Sequence, residues 1–73
     1  MSKYRVTNLS FETPVGEQQR LESALKKVQG VRSVTISPMR REFSITFTGM
    51  EPNYNLLKDV CSGAGFTLSR RAA

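Results

Sequence analysis

The chain has no histidine and a single cysteine among its 73 residues. The first absence removes the commonest general base and the commonest metal ligand. A lone thiol excludes an internal disulfide and suits a reducing compartment. No apolar run approaches the roughly 20 residues of a membrane helix. The opening Met1-Ser2-Lys3-Tyr4-Arg5-Val6 has no apolar signal core, so a cytoplasmic location is expected. Paired carboxylates with a pocket, a nucleophile elbow and a phosphate-cradling glycine loop are also missing, which points away from an enzyme. No internal repeat, linker or low-complexity stretch interrupts the chain.

What is present is basic. Eleven Lys and Arg stand against six Asp and Glu, a net charge of +5. That balance favours acidic partners, whether nucleic acid, anionic lipid or an acidic protein face, although small domains also carry net charge for solubility. Residues 1–73 are read as one domain, which at this length buries only about 60% of the surface its unfolded chain exposes.

The hydrophobic period switches along the chain. Tyr4 and Val6 alternate with Arg5 and Thr7, so Lys3 to Leu9 is predicted as a first strand. Ser10 to Gly16 reads as a loop, with Thr13 as helix N-cap and Pro14 in the first helical position. Leu21, Ala24, Leu25 and Val28 form one stripe of a helix over Gly16–Gln29, and Gly30 is placed at C′. Val34 and Ile36 alternate in a second strand, Pro38–Arg41 turns, and Phe43, Ile45 and Phe47 alternate in a third. A second helix is expected from Asn53 to Gly63, with Leu57, Val60, Cys61 and Ala64 on one face and Gly65 at its end. Phe66 and Leu68 belong to a short last strand, and Arg70-Arg71-Ala72-Ala73 is predicted to fray. The order β-α-β-β-α-β predicts an α+β, ferredoxin-like sandwich: a four-stranded antiparallel sheet with two helices on one face.

Within that order the residues resemble the heavy-metal-associated domain of copper chaperones and metal-pumping ATPases. The resemblance rests on Ala24-Leu25-x-x-Val28-x-Gly30-Val31-x-x-Val34-x-Ile36, on Phe43-x-Ile45-x-Phe47, and on Leu57-x-x-x-Cys61-x-x-Ala64-Gly65-Phe66. It implies a small binding domain of metal transport. The family's Cys-x-x-Cys loop, whose two thiolates suit Cu(I) or Zn(II), corresponds here to Leu9-Ser10-Phe11-Glu12-Thr13-Pro14-Val15-Gly16. Phe11 falls about where the first cysteine would stand, and no cysteine follows. The metal function therefore does not carry over through this motif.

Several groups are candidate sites. Cys61 has the spacing of a small buried hydrophobe; as a lone soft ligand it would make a poor metal site. Met39 lies on the hairpin, either as a thioether for Cu(I) or as a gap-filler. Phe11 reads equally as an exposed contact or as a lid over the core. With Pro14, Val15 and Met39 it is predicted to form an apolar patch for a protein partner such as a metal transporter or related domain, next to Arg40 and Arg41. Lys3, Lys26, Lys27, Arg32, Arg70 and Arg71 are predicted to gather at the opposite end, with Met50 also at that end. The open sheet face is assigned Arg5, Thr7, Thr35, Ser44, Thr46 and Thr67. It carries no aromatic on which a base could stack, which argues against sequence-specific RNA reading. The leading expectation is thus a non-enzymatic module, monomeric or weakly dimeric, that binds a protein and needs no cofactor. A weak Cu(I) or Zn(II) chaperone and an electrostatic binder of nucleic acid or anionic membrane are the alternatives.

Overall fold

A computed structural model describes residues 1–72, and the expected element order is present in it. The elements are β1 (Ser2–Val6), α1 (Val15–Lys26), β2 (Val31–Ser37), a 3-10 turn at Pro38–Arg40, β3 (Glu42–Phe47), α2 (Tyr54–Gly63) and β4 (Leu68–Ala72). The four strands form one antiparallel sheet in the order β2-β3-β1-β4, as a ferredoxin-like sandwich requires. Tyr4, Val6, Val34, Phe43, Ile45 and Leu68 are buried in a single core cluster with Leu21 and Leu25 of α1 and Leu57 and Cys61 of α2. Each fully buried Leu, Ile or Phe contributes roughly 1.5–3 kcal/mol relative to exposure. No helix of the described residues is long and apolar enough to cross a membrane.

Several boundaries move, each for a local reason. β1 stops at Val6 rather than Leu9 because Asn8 takes over the pairing. Its amide nitrogen donates to the Gly65 carbonyl at 2.9 Å, and its amide oxygen accepts from Thr67 N–H at 2.8 Å. Leu9 nonetheless remains fully buried. α1 begins at Val15 with Pro14 as N-cap, displacing Thr13 from that role: Pro14 holds an extended ψ of 144° and no side chain caps the helix. At the other end α1 closes at Lys26, three residues before Gln29. Lys27 and Val28 then donate to the carbonyls three residues back, a tighter winding that still keeps Val28 in the core. Gly30 is consequently not C′. Its φ of +91° turns the chain into β2 instead.

α2 meets both of its expected ends. The Asn53 side chain accepts from Asn55 N–H at 2.8 Å. Gly65 N–H donates to Ser62 and Phe66 N–H to Cys61 at 2.8 Å, the paired bonds of a Schellman ending. Phe66 lies outside β4, yet it is buried as the hydrophobic residue of that ending.

The larger correction concerns the tail. Arg70, Arg71 and Ala72 are not frayed; they pair with Arg5, Tyr4 and Lys3 respectively. Ala73, the last residue of that predicted tail, lies outside the described residues. Ser69 is the extra residue of a bulge opposite the Arg5–Val6 step. The bulge turns Arg71 to the helix-covered face, beside Tyr4, and Arg70 to the open one.

Two buried groups resist ionisation. Burial, with the Glu51 carboxylate beside it, pushes the Tyr4 phenol up to about 12. Burial alone pushes the Cys61 thiol up to about 11. In both cases the neutral form is favoured in the folded state, so the stabilisation is complete below the unfolded value and is lost above it. Urea midpoints are therefore expected to fall as pH rises past about 9, the ordinary thiol range, and more steeply past about 10, where the unfolded phenol ionises. Cys61→Ala should delay the onset by about one pH unit. An unchanged onset in that variant would show that the thiol plays no part.

Candidate binding tip

Antiparallel pairing sets which residues share an end. β1 and β2 run in one direction and β3 and β4 in the other. The β1–α1 loop therefore lies at the same end as the β2–β3 turn, where Val6 N–H donates to the Arg41 carbonyl at 2.8 Å. Phe11, Val15 and Met39 come to this end from three separate segments, and they are 74%, 67% and 86% exposed.

Each is held there by its own segment. Ser10 N–H donates to Thr13 Oγ1 at 3.0 Å, and Thr13 N–H donates back to the Ser10 carbonyl at 3.0 Å. Glu12 N–H donates to Ser10 Oγ at 3.2 Å. Phe11 thus sits in a tight turn with its ring exposed and does not cover the core. Gln18 Nε2 reaches the Thr13 carbonyl at 2.8 Å and ties the turn to α1. Pro14 accepts from Glu17 and Gln18 N–H, so Val15 opens the helix with its side chain in solvent.

Met39 rides the 3-10 turn, which Arg41 closes by donating its N–H to the Pro38 carbonyl at 3.0 Å. Arg41 does so with φ +57°, the one positive φ outside glycine among the described residues. A non-glycine residue in that conformation costs roughly 1–2 kcal/mol. Arg40 and Arg41 are exposed on the turn, and Glu12 and Glu17 are exposed on the β1–α1 loop and the start of α1. This end of the sandwich therefore carries exposed apolar, basic and acidic side chains.

The remaining candidates separate. Cys61 is fully buried, and its raised pKa opposes the thiolate that a soft metal requires. Met39 is in solvent, so the two sulfur atoms do not share a site. No cluster of three or more Cys, Asp or Glu placed to hold a metal occurs among the described residues. The predicted basic end divides. Lys26 and Lys27 close α1 and Arg32 opens β2 at that end, with Lys26 paired to Glu22 at 3.0 Å. Lys3, at the start of β1, is at that end too but on the open sheet face; Arg70 lies on that face further along, and Arg71 pairs with Glu51 on the other. Arg70 was missed as an open-face residue because the charged and small residues after Leu68 carry no alternation from which a strand can be read. Met50, 91% exposed, follows β3 at the end opposite the tip. No family model, curated protein or solved structure matches the chain.

The Ser10–Thr13 brace yields a prediction. Thr13→Ala should lower stability by about 1 kcal/mol and give the Phe11 ring additional signals or line broadening by NMR. Unchanged stability and an unchanged ring spectrum would mean that the turn is held without the brace.

Proposed function

We propose that the protein is a non-enzymatic binding module that captures a protein partner through the tip formed by Phe11, Val15 and Met39. The observation that carries this reading is the exposure of these three large apolar side chains at one end, on backbone that is hydrogen-bonded in place. Exposed apolar groups rimmed by polar ones mark contact surfaces. Rigid backbone lowers the ordering cost of binding. The fitting partner is an apolar segment with acidic residues on the side that meets Arg40 and Arg41 and basic residues on the side that meets Glu12 and Glu17. Such opposed charges orient a partner more than they tighten it.

Arg41 supports the same reading. Glycine would adopt its backbone conformation at lower cost, yet a charged side chain stands there, at the same end as the three apolar ones. A metal-carrying role draws no comparable support, because the one thiol is sealed in the core.

The test compares variants of matched stability. The double variant Phe11→Ser, Met39→Ser should lose capture of the partner about 30-fold or more, as removal of a binding hot spot does, with its melting temperature unchanged. Met50→Ser, at the opposite end, should capture normally. Equal capture by the tip variant and by Met50→Ser would overturn the assignment. Arg41→Gly should raise stability by about 1 kcal/mol while weakening capture. A gain in stability with full capture would remove Arg41 from the site.

A further inference from the structure

The open face of the sheet carries a second feature, independent of the tip. Arg5 on β1 and Arg70 on β4 are direct cross-strand partners, and both are exposed. Directly opposed residues have Cβ atoms only about 4.5–5.5 Å apart, and like charges in that arrangement destabilise a sheet. Lys3 stands on the same face two residues along β1, roughly 7 Å from Arg5. Its cross-strand neighbours are Ser44 and Ala72, neither of which is charged. The ion pairs formed among the described residues are Lys26–Glu22 and Arg71–Glu51, and none of these three cations takes part in them.

The other half of the face is made of hydroxyls. Ser44 and Thr46 on β3 lie opposite Thr35 and Ser33 on β2, and the Ser33 and Thr46 hydroxyls bond each other at 2.5 Å. One carboxylate interrupts the pattern: Glu42, opposite Arg5 on one side and Ser37 on the other. No aromatic or large apolar side chain of the strands points this way. Tyr4 and Phe43 are buried in the core, and Phe47 packs against it.

We propose that this open face binds the phosphodiester backbone of double-stranded nucleic acid, with Lys3, Arg5 and Arg70 on phosphates and the β2–β3 hydroxyls on phosphate and sugar oxygens. Charge complementarity selects a polyanion, because a row of three cations offers more than one phosphate contact. The lack of a stacking platform excludes the single-strand mode, which depends on aromatic rings beneath the bases. The lack of an apolar side chain to insert disfavours a bilayer surface. Backbone contacts position a duplex and carry no sequence information, so binding is indifferent to sequence. Glu42 repels phosphate at its own place on β3, so the charged contacts fall on the β1–β4 half and the hydroxyl contacts lie beyond it.

The experiment is fluorescence anisotropy of a labelled duplex of about 20 base pairs, as DNA and as RNA, titrated with the full chain across a salt series. Three phosphate contacts predict a slope of log K against log salt of about −3. Arg5→Gln with Arg70→Gln should reduce the slope to about −1 and, by relieving the opposed charges, raise the melting temperature by about 2–4 °C. Arg5→Lys with Arg70→Lys should retain the slope, and Glu42→Gln should tighten binding. Lys26→Gln with Lys27→Gln removes the same net charge away from the face and should leave the slope near −3. Equal slopes in the Arg5/Arg70 and Lys26/Lys27 Gln variants would overturn the proposal in favour of diffuse charge. So would an absence of duplex binding, with or without binding to phosphatidylserine vesicles.

Discussion

Tyr4 is the residue on which the rest of the structure converges. It sits fully buried on β1, the strand that pairs with both β3 and β4. Its ring stacks on Phe43 of β3 at 5.4 Å and lies 6.5 Å from Tyr54 of α2. Its hydroxyl donates to Glu51 in the β3–α2 loop at 2.5 Å, and Glu51 also holds Arg71 of β4. Tyr54 in turn donates to the Ser69 carbonyl at 2.9 Å, at the β4 bulge. One buried phenol therefore links two neighbouring strands, a helix and a loop. A phenol suits this place because its ring fills core volume while its hydroxyl reaches a carboxylate at the edge.

With that frame in place, the features proposed as contact sites are those that lower its stability. Phe11 is left in water. Arg41 holds a backbone conformation better suited to glycine. Arg5 faces Arg70 across one strand pair, with Glu42 on its other side. None is needed to make the sandwich, whose core is complete without them. Local departures from what favours the fold are where function is expected. They lie on two separate surfaces, one with exposed apolar and charged side chains at the end of the sandwich, the other largely cationic on the flat of the sheet. Neither surface draws on the core residues.

Much of the fold was legible in order. Leu21, Leu25 and Val28 announced α1, the alternation of Phe43, Ile45 and Phe47 announced β3, and Asn53 and Gly65 bracketed α2. What was not legible depended on bonds between distant residues. Asn8 ended β1 early by bonding Gly65 and Thr67, nearly sixty positions away. Thr13 was drawn from capping a helix to bracing Ser10. Arg70 and Arg71 became strand because β1 offered an unpaired edge and Glu51 a counter-charge, and neither is visible from the tail's own composition. Of the candidate site, Phe11, Val15, Met39, Arg40 and Arg41 could be proposed from topology alone. That the Phe11 ring stays exposed and does not cover the core was not visible in the sequence.

The sequence by itself determined the class of fold, because hydrophobic period and turn chemistry are local properties that each segment carries alone. It also determined the absence of histidine and of a second thiol, which restricts the chemistry open to the protein. The tertiary structure alone decided which charges stand together. Register between strands is set by the whole core, and a single bulge at Ser69 sends Arg71 to a carboxylate and Arg70 into opposition with Arg5. A shift of one residue exchanges the two faces of a strand, so the distribution of charge on this sheet follows from packing and cannot be read from composition.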